Sequence, residues 1–310
     1  MAENNTPEGS SGQNSPAENS AWSTNREWAV DPNRQVKQPR PKPASAASRP
    51  LAPSVSVSTS ATQVQLEETG ITWDRSAVDW SLLERSTVDR VRSRFRASLP
   101  EYIWDAAALE GNPYTLPEVQ TLLEGITVTG HRIADQDQIL ALNEGFTLTD
   151  ALVGASTFYL DKVTSDEIHA RVAVHEAIES GHFRGEGTAG GGGHVSIGAL
   201  GTFHASEPGQ DGRNLNREFR RLITYLLEDV ADPREQAVAY FCAATRRQFY
   251  FDGNKRTSKL MMAGHLLKNS YDAISISARR QLEFNQLLAP MFDTGDATEM
   301  MQFIIDSRPE

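Results

Sequence analysis

Gln248-Phe-Tyr-Phe-Asp-Gly-Asn-Lys-Arg-Thr257 is the stretch from which the rest of the chain is read. Asp252 is a ligand type for a divalent cation, and Gly253 lets the backbone approach a bound group closely. The amides of Asn254, Lys255 and Arg256 would open a helix and face an anion. From Arg256 onward the residues are helix formers, with Leu260, Met261, Gly264 and Leu267 at three- and four-residue steps, so a buried helix starts at the turn. Upstream, Asp232-Pro233 supplies an N-cap and a proline at the first helical position, and Val238, Phe241 and Ala244 carry an apolar stripe toward Gln248. Asp-Gly-Asn alone is a common turn. A lysine and an arginine at the positive start of a helix oppose its dipole, which makes them poor structural choices and good anion ligands. The turn therefore reads as an anion site with a metal ligand beside it, set between two core helices.

Three other segments extend the pattern outward. Near position 110 the chain reads Ala106-Ala-Ala-Leu-Glu110-Gly111-Asn112, later Gly181-His-Phe-Arg184, then Val195-Ser-Ile-Gly198. Together with the 248–257 turn they resemble the Fic (Fido) family, whose motif is His-x-Phe-x-(Asp/Glu)-Gly-Asn-(Gly/Lys)-Arg followed by a helix. Asp252, Gly253, Asn254 and Arg256 match, and Lys255-Arg256-Thr257 is similar to the variant in the Doc toxin branch. Gln248 stands where the family has its histidine, and Tyr250 where it has phenylalanine. The segment at 106–112 resembles the family's inhibitory element, (Ser/Thr)-x-x-x-Glu-(Gly/Asn), in the class that carries it N-terminal to the core; Glu110 is the glutamate and Ala106 replaces Ser/Thr. Gly181–Arg184 and Val195–Gly198 resemble the family's Gly-x-(Tyr/Phe)-Arg turn and the flap over its site. The resemblance spans roughly 100–310.

What it implies is a mostly α fold, a Fic-type helical bundle with a small β-hairpin flap; composition adds a disordered N-terminal tail before it. The expected divisions are a polar, Pro-rich tail at 1–63, an N-terminal helical region at 64–98, and a Fic-like domain at 99–310 that includes an inhibitory helix at about 100–111. The resemblance also implies ATP as substrate and Mg2+ held by Asp252. It assigns the nucleotide to Gly253, Asn254, Lys255, Arg256 and Lys259, with AMP passing to a Ser, Thr or Tyr hydroxyl of a target protein. In the family the histidine takes the hydroxyl's proton, which Gln248 cannot do, since an amide does not ionise near neutral pH. General-base catalysis is worth about 10²–10⁴-fold, so transfer should be strongly impaired while ATP binding survives. Glu110 is expected to be inhibitory, paired with Lys259 where the family has a second arginine, or alternatively with Arg256. Lysine offers a point charge instead of a bidentate fork, so that clamp should be looser. The readings are thus an autoinhibited adenylyltransferase, a nucleotide-binding pseudoenzyme with a regulatory or scaffolding role, or a divergent phosphotransfer or AMP-removing activity.

Composition agrees with that extent. Residues 1–63 are Ser, Ala, Pro, Asn and Gln with almost no aliphatic run, and Gln38-Pro-Arg-Pro-Lys-Pro43 favours an extended chain; Trp22 and Trp28 are candidate anchors for a tail-mediated partner. This tail holds six Lys/Arg and five Asp/Glu, leaving 24 and 36, a net of −12, for the rest. That acidity argues against general nucleic-acid binding. Arg246, Arg247, Lys255, Arg256 and Lys259 still allow a small basic pocket. The single cysteine, Cys242, excludes an intramolecular disulfide and lies on a buried stripe. With no apolar run long enough to span a bilayer and no signal-peptide core, the expected location is cytoplasmic, although secretion as an effector without a cleaved signal would look the same.

Helical spacing accounts for most of what remains. Val88, Val91 and Phe95 mark one amphipathic segment, and Ser98-Leu-Pro-Glu101 starts the helix that ends near Glu110. Thr115/Glu118 and Thr164/Glu167 have capping-box spacing and predict helices at about 116–124 and 165–179. Further helices are expected at roughly 135–160 and on the Leu215–Leu226 stripe, with a hairpin at 195–203. Gly185-Glu-Gly-Thr-Ala-Gly190 satisfies a dinucleotide fingerprint but lacks the flanking strand and helix, so it reads as a loop. The seven histidines show no paired metal-ligand spacing, and His175 and His265 read as ordinary helix residues.

Overall fold

The computed structural model describes residues 56–309. Helix α1 (Ser56–Thr69) begins inside the segment read as a polar tail. The earlier part of that segment, with Trp22, Trp28 and the Gln38–Pro43 run, lies outside the described residues. From Gly70 to Thr87 the chain makes only short 3-10 turns, and it tucks Ile71, Trp73, Val78, Trp80 and Leu83 into the core. Thr72 forms a parallel bridge with Asp296, closed by Thr72 N–H on the Gly295 carbonyl (2.8 Å) and Ala297 N–H on the Thr72 carbonyl (2.8 Å). The start and the end of the described chain are thereby joined.

The helices that follow obey their end signals in most cases. The Thr87 hydroxyl caps α2 (Val88–Ala97), and Pro100 sits in the first turn of α3 (Leu99–Ala108). Thr115 and Glu118 form the expected capping box of α4 (Leu116–Leu123). Helix α5 (Ile133–Gly154) is the longest. Helix α6 (Lys162–Val172) departs from the sequence reading at both ends. Its cap is Asp161, whose carboxylate accepts the Thr164 amide (2.8 Å), while Thr164 is buried inside the first turn. Beyond Val172 the chain turns back, and the Gly181 amide donates to Nδ1 of His169 (2.8 Å); His175 therefore lies in turns, not in a helix.

The only sheet among the described residues is the antiparallel hairpin β1 (His194–Ser196) and β2 (Thr202–His204), in register Val195 opposite Phe203. Phe203 pins it to the body, its ring 5.1 Å from Phe292 with the Arg246 guanidinium 4.8 Å away. Helix α7 (Arg213–Glu228) buries Leu215, Phe219, Leu222 and Leu226.

Two helices have almost no solvent face. In α8 (Pro233–Arg247) residues 235–245 are all buried, Cys242 among them, and in α9 (Asn254–Lys268) only Lys255 and Lys268 escape full burial. Helices α5, α6 and α8 surround α9. Two glycines allow the close approach. A Cβ on Gly145 would stand 2.3 Å from Val172 Cγ1, and one on Gly264 would stand 2.1 Å from the Phe158 ring. The carboxyl-terminal helices α10 (Gln281–Thr294) and α11 (Thr298–Asp306) pack on each other and on α8. No described helix is long and apolar enough to cross a membrane.

Candidate functional site

The six residues between α8 and α9 form a turn locked by its own side chains. Gln248 ends α8 in the left-handed conformation, φ 51° and ψ 57°. Its amide is used at both ends: Nε2 donates to the Thr245 carbonyl (2.7 Å), and Oε1 accepts from Asn254 Nδ2 (3.2 Å). Asn254 also brackets Tyr250, accepting its amide on Oδ1 (2.9 Å) and donating to its carbonyl (2.8 Å). The Tyr250 hydroxyl explains why tyrosine is tolerated at a phenylalanine position. It is buried but satisfied, bonded to Ser165 Oγ (2.8 Å) and donating to Asp166 Oδ1 (2.8 Å). Gly253 is required twice over. Its φ of 70° is left-handed, and a Cβ would stand 2.8 Å from the Ala173 methyl.

His169 supports this turn from behind. Its ring stacks on Tyr250 at 3.7 Å and 7°, and its Nε2 lies 2.9 Å from the Asp252 carbonyl. Because Nδ1 accepts the Gly181 amide, the proton must be on Nε2, which donates to Asp252. Burial lowers the His169 pKa to about 4, outweighing the Asp252 bond that favours protonation.

The charges at the start of α9 are neutralised from other segments. Glu110, just past α3, places Oε2 3.1 Å from Lys255 Nζ, a partner not named from the sequence. Arg256 is fully buried and pairs with Glu176 and with Asp252 Oδ1 (3.3 Å), and it donates to the Val172 carbonyl (3.2 Å). Burial works against its charge, but Glu176, Glu110 and Asp252 outweigh burial and hold its pKa above the ordinary arginine range. Burial raises the Asp252 pKa while Arg256 pulls it down. Lys259 is buried one turn further along α9, its ammonium 5.7 Å from the Phe284 ring; it lines a cavity of about 20 Å³ beside Ala106 and Tyr102.

Two of the five basic residues grouped by sequence turn away. Arg246 donates to the Met291, Phe292 and Gly70 carbonyls, and Arg247 pairs with Glu218 (2.7 Å). They lie in the last turn of α8, whereas the site gathers at the first turn of α9. In their place comes Arg184, wholly buried, which donates to the Gln248 carbonyl (2.7 Å) and the Ser206 carbonyl (3.1 Å), while its amide donates to Phe249 (2.8 Å). It ties the turn to the end of the hairpin. A Cβ on Gly193 would strike its guanidinium at 2.6 Å, so the glycine run packs against this side chain. Glu176 had no signal in the sequence: it follows the end of α6, and only the turn-back at 173–180 brings it to Arg256.

At this helix N-terminus protein carboxylates stand against both cations, Lys255 and Arg256. Asp252 also suits a cation. Its Oδ1 carries both of its contacts, Oδ2 takes no hydrogen bond from the described residues, and the side chain is 36% exposed. Among the described residues no group of three or more His, Cys, Asp and Glu side chains forms a self-contained metal cage, so such a cation would complete its shell with other oxygens.

No family model matches the chain. Over 211 residues it is 27% identical to a protein of Drosophila erecta named Protein adenylyltransferase Fic, covering 66% of this chain and 39% of that protein. The Drosophila melanogaster protein of the same name is 28% identical over 211 residues, covering 66% and 40%. The chain thus spans less than half the length of these relatives. Among solved structures, Fic-1 of C. elegans superposes with a TM-score of 0.57 at 17% identity, covering 71% of this chain and 67% of that one. A Fic domain containing signaling protein from Bacteroides thetaiotaomicron gives 0.57 at 17% identity, covering 79% and 89%.

Proposed function

We propose that this chain, a Fic-domain protein, binds ATP at the start of α9 and belongs to the AMP-transferring class, held shut by Glu110 and slowed by Gln248. The observation that carries the reading is the cation pair Lys255 and Arg256 at the positive end of α9, each faced by a carboxylate from a distant segment, Glu110 and Glu176. A polyphosphate supplies the same negative charge with more oxygens, and it would displace those carboxylates to reach the Gly253–Arg256 amides. Lys259, one turn along, would extend the cationic track. Mg2+ arriving with the nucleotide would take Asp252 as its protein ligand and offset phosphate charge.

In the transfer itself a target-protein Ser, Thr or Tyr oxygen bonds to the α-phosphorus of ATP. The bond from that phosphorus to the bridging oxygen breaks, pyrophosphate leaves, and the hydroxyl proton needs an acceptor. Gln248 does not ionise, and both ends of its amide are committed to the turn. The names of the relatives, protein adenylyltransferases, support AMP transfer as the class of chemistry, and a cytoplasmic setting goes with ATP as substrate. A nucleotide-binding regulator that transfers nothing is the second reading, and the committed amide of Gln248 favours it.

The test compares wild type, Glu110→Gly, Glu176→Ala and Gln248→His with Mg2+, a lysate, and ATP labelled at the α or γ phosphorus, alongside calorimetry. ATP should bind all four, more tightly once either carboxylate is removed. Label from α-ATP should be weak in wild type and rise by about 10²–10⁴-fold in Gln248→His. Transfer of γ label alone would indicate phosphotransfer instead. Failure of all four to bind ATP would sink the reading, and binding without α label even in Gln248→His would leave the regulator.

A further inference from the structure

The hairpin carries a pair of histidines that the site just described does not use. His194 on β1 and His204 on β2 are direct cross-strand neighbours, both exposed, with their Nδ1 atoms 2.7 Å apart. Their backbone relation is defined by the bonds on either side. Ala205 N–H donates to the Gly193 carbonyl and Ile197 N–H to the Gly201 carbonyl. The 193/205 and 197/201 pairs are therefore hydrogen-bonded, and the 194/204 pair falls in the non-hydrogen-bonded class, where facing side chains come closest. The opposite face of the hairpin is fixed by Phe203 against Phe292 and Arg246, which leaves the two imidazoles turned outward with their spacing set by the backbone.

We propose that His194 and His204 form a two-histidine site for a divalent transition-metal ion, of the kind filled by Cu2+ or Ni2+. Metal–imidazole bonds are about 2.0–2.1 Å, so two nitrogens at right angles around one ion lie about 2.8–3.0 Å apart, and two in a tetrahedron about 3.3–3.4 Å. The observed 2.7 Å is close to the right-angled arrangement, which is that of square-planar or tetragonal Cu2+ and Ni2+. In the free protein one Nδ1 carries the proton shared with the other. Binding needs that proton to move to its ring's Nε2, which faces solvent on an exposed side chain, so both lone pairs can turn to one ion. Water would complete the shell. Because the strands are only three residues long, an ion held by one ligand from each would cross-link the hairpin near its base.

The site is tested on the untagged full-length chain by titration with CuCl2 and NiCl2, followed by electron paramagnetic resonance of the Cu2+ form. Wild type should bind one equivalent with a signal of nitrogen coordination. His194→Ala and His204→Ala should each weaken binding at least tenfold and reduce the nitrogen signature, with circular dichroism unchanged because both side chains are exposed. His204→Asn, which keeps polarity without an imidazole, should behave like His204→Ala. Absence of a wild-type equivalent, or wild-type affinity and an unchanged Cu2+ spectrum in these variants, would overturn the proposal. ATP binding in either result leaves it untouched, since the hairpin pair shares no residue with the nucleotide turn.

Discussion

At the scale of the residue, His169 and His265 show how a titratable side chain can be fixed in one form. His265 sits in α9 with Nε2 2.8 Å from the Gln236 Oε1, and burial lowers its pKa to about 4, as it does for His169. Unfolded, each titrates near 6.5, so between about 6.5 and 4 the unfolded chain binds more protons than the folded one. Stability from these two groups is therefore complete above about 6.5 and is lost as pH falls toward 4, by about 3 kcal/mol for each. Asp105, Asp166 and Asp252 are shifted upward by burial and act in the opposite sense. Imidazole NMR separates the contributions. His169 and His265 should remain neutral, protonated on Nε2, at pH 5.5, and titration of either near 6.5 would contradict the burial argument. Residues of this kind were partly legible in the sequence. Asp252, Gly253, Asn254 and Arg256 announce themselves because their roles depend on neighbours in the chain. Arg184, His169 and Glu176 act on the same turn from 64 to 83 positions away in sequence; the Gly181–Arg184 resemblance marks the first, and no local pattern marks the other two.

At the scale of the element, α9 is placed by glycines as much as by its apolar stripe. Gly264→Ala should raise helix propensity by about 1 kcal/mol, yet the new methyl would stand 2.1 Å from a buried Phe158 ring. Overpacking of that kind costs about 1–3 kcal/mol, so the net change should be a loss of stability, visible as a lower urea midpoint with an unchanged slope. A stabilised variant would mean that Phe158 yields. Helices with strong periodicity, such as α7, or with their own caps, such as α4 and α8, could be read directly. Helix α6 could not be read to its ends, because two acceptable caps stand three residues apart and tertiary contact chose Asp161. Its turn-back after Val172 is likewise set by His169 and Gly181, a contact absent from any local window.

At the scale of the whole molecule, residues 70–87 act as a clasp. They are short of regular helix, so periodicity gave no warning that they enter the core, yet five of their large apolar side chains are buried. Trp73 reaches across to donate to Glu235 of α8 (2.8 Å), and Thr72 joins the segment before α11. Each buried side chain contributes about 1.5–3 kcal/mol, and the sum is comparable to the total stability of a typical domain. A chain lacking residues 1–84 should therefore lose its cooperative thermal transition by circular dichroism, and a sharp melt near the full-length midpoint would refute the clasp. The burial of α9 also bears on the rate at which a ligand can arrive. A helix enclosed by α5, α6 and α8 should open only with the whole molecule, which would anchor its first amides to the slowest-exchanging part of the fold. Under the proposed nucleotide binding, access to them would be set by rotation of the Glu110 and Glu176 side chains away from Lys255 and Arg256, motions far faster than unfolding. On the proposed reading the site would be a gate with a rigid frame and two quick bolts, its opening frequency decoupled from the stability of the domain that carries it.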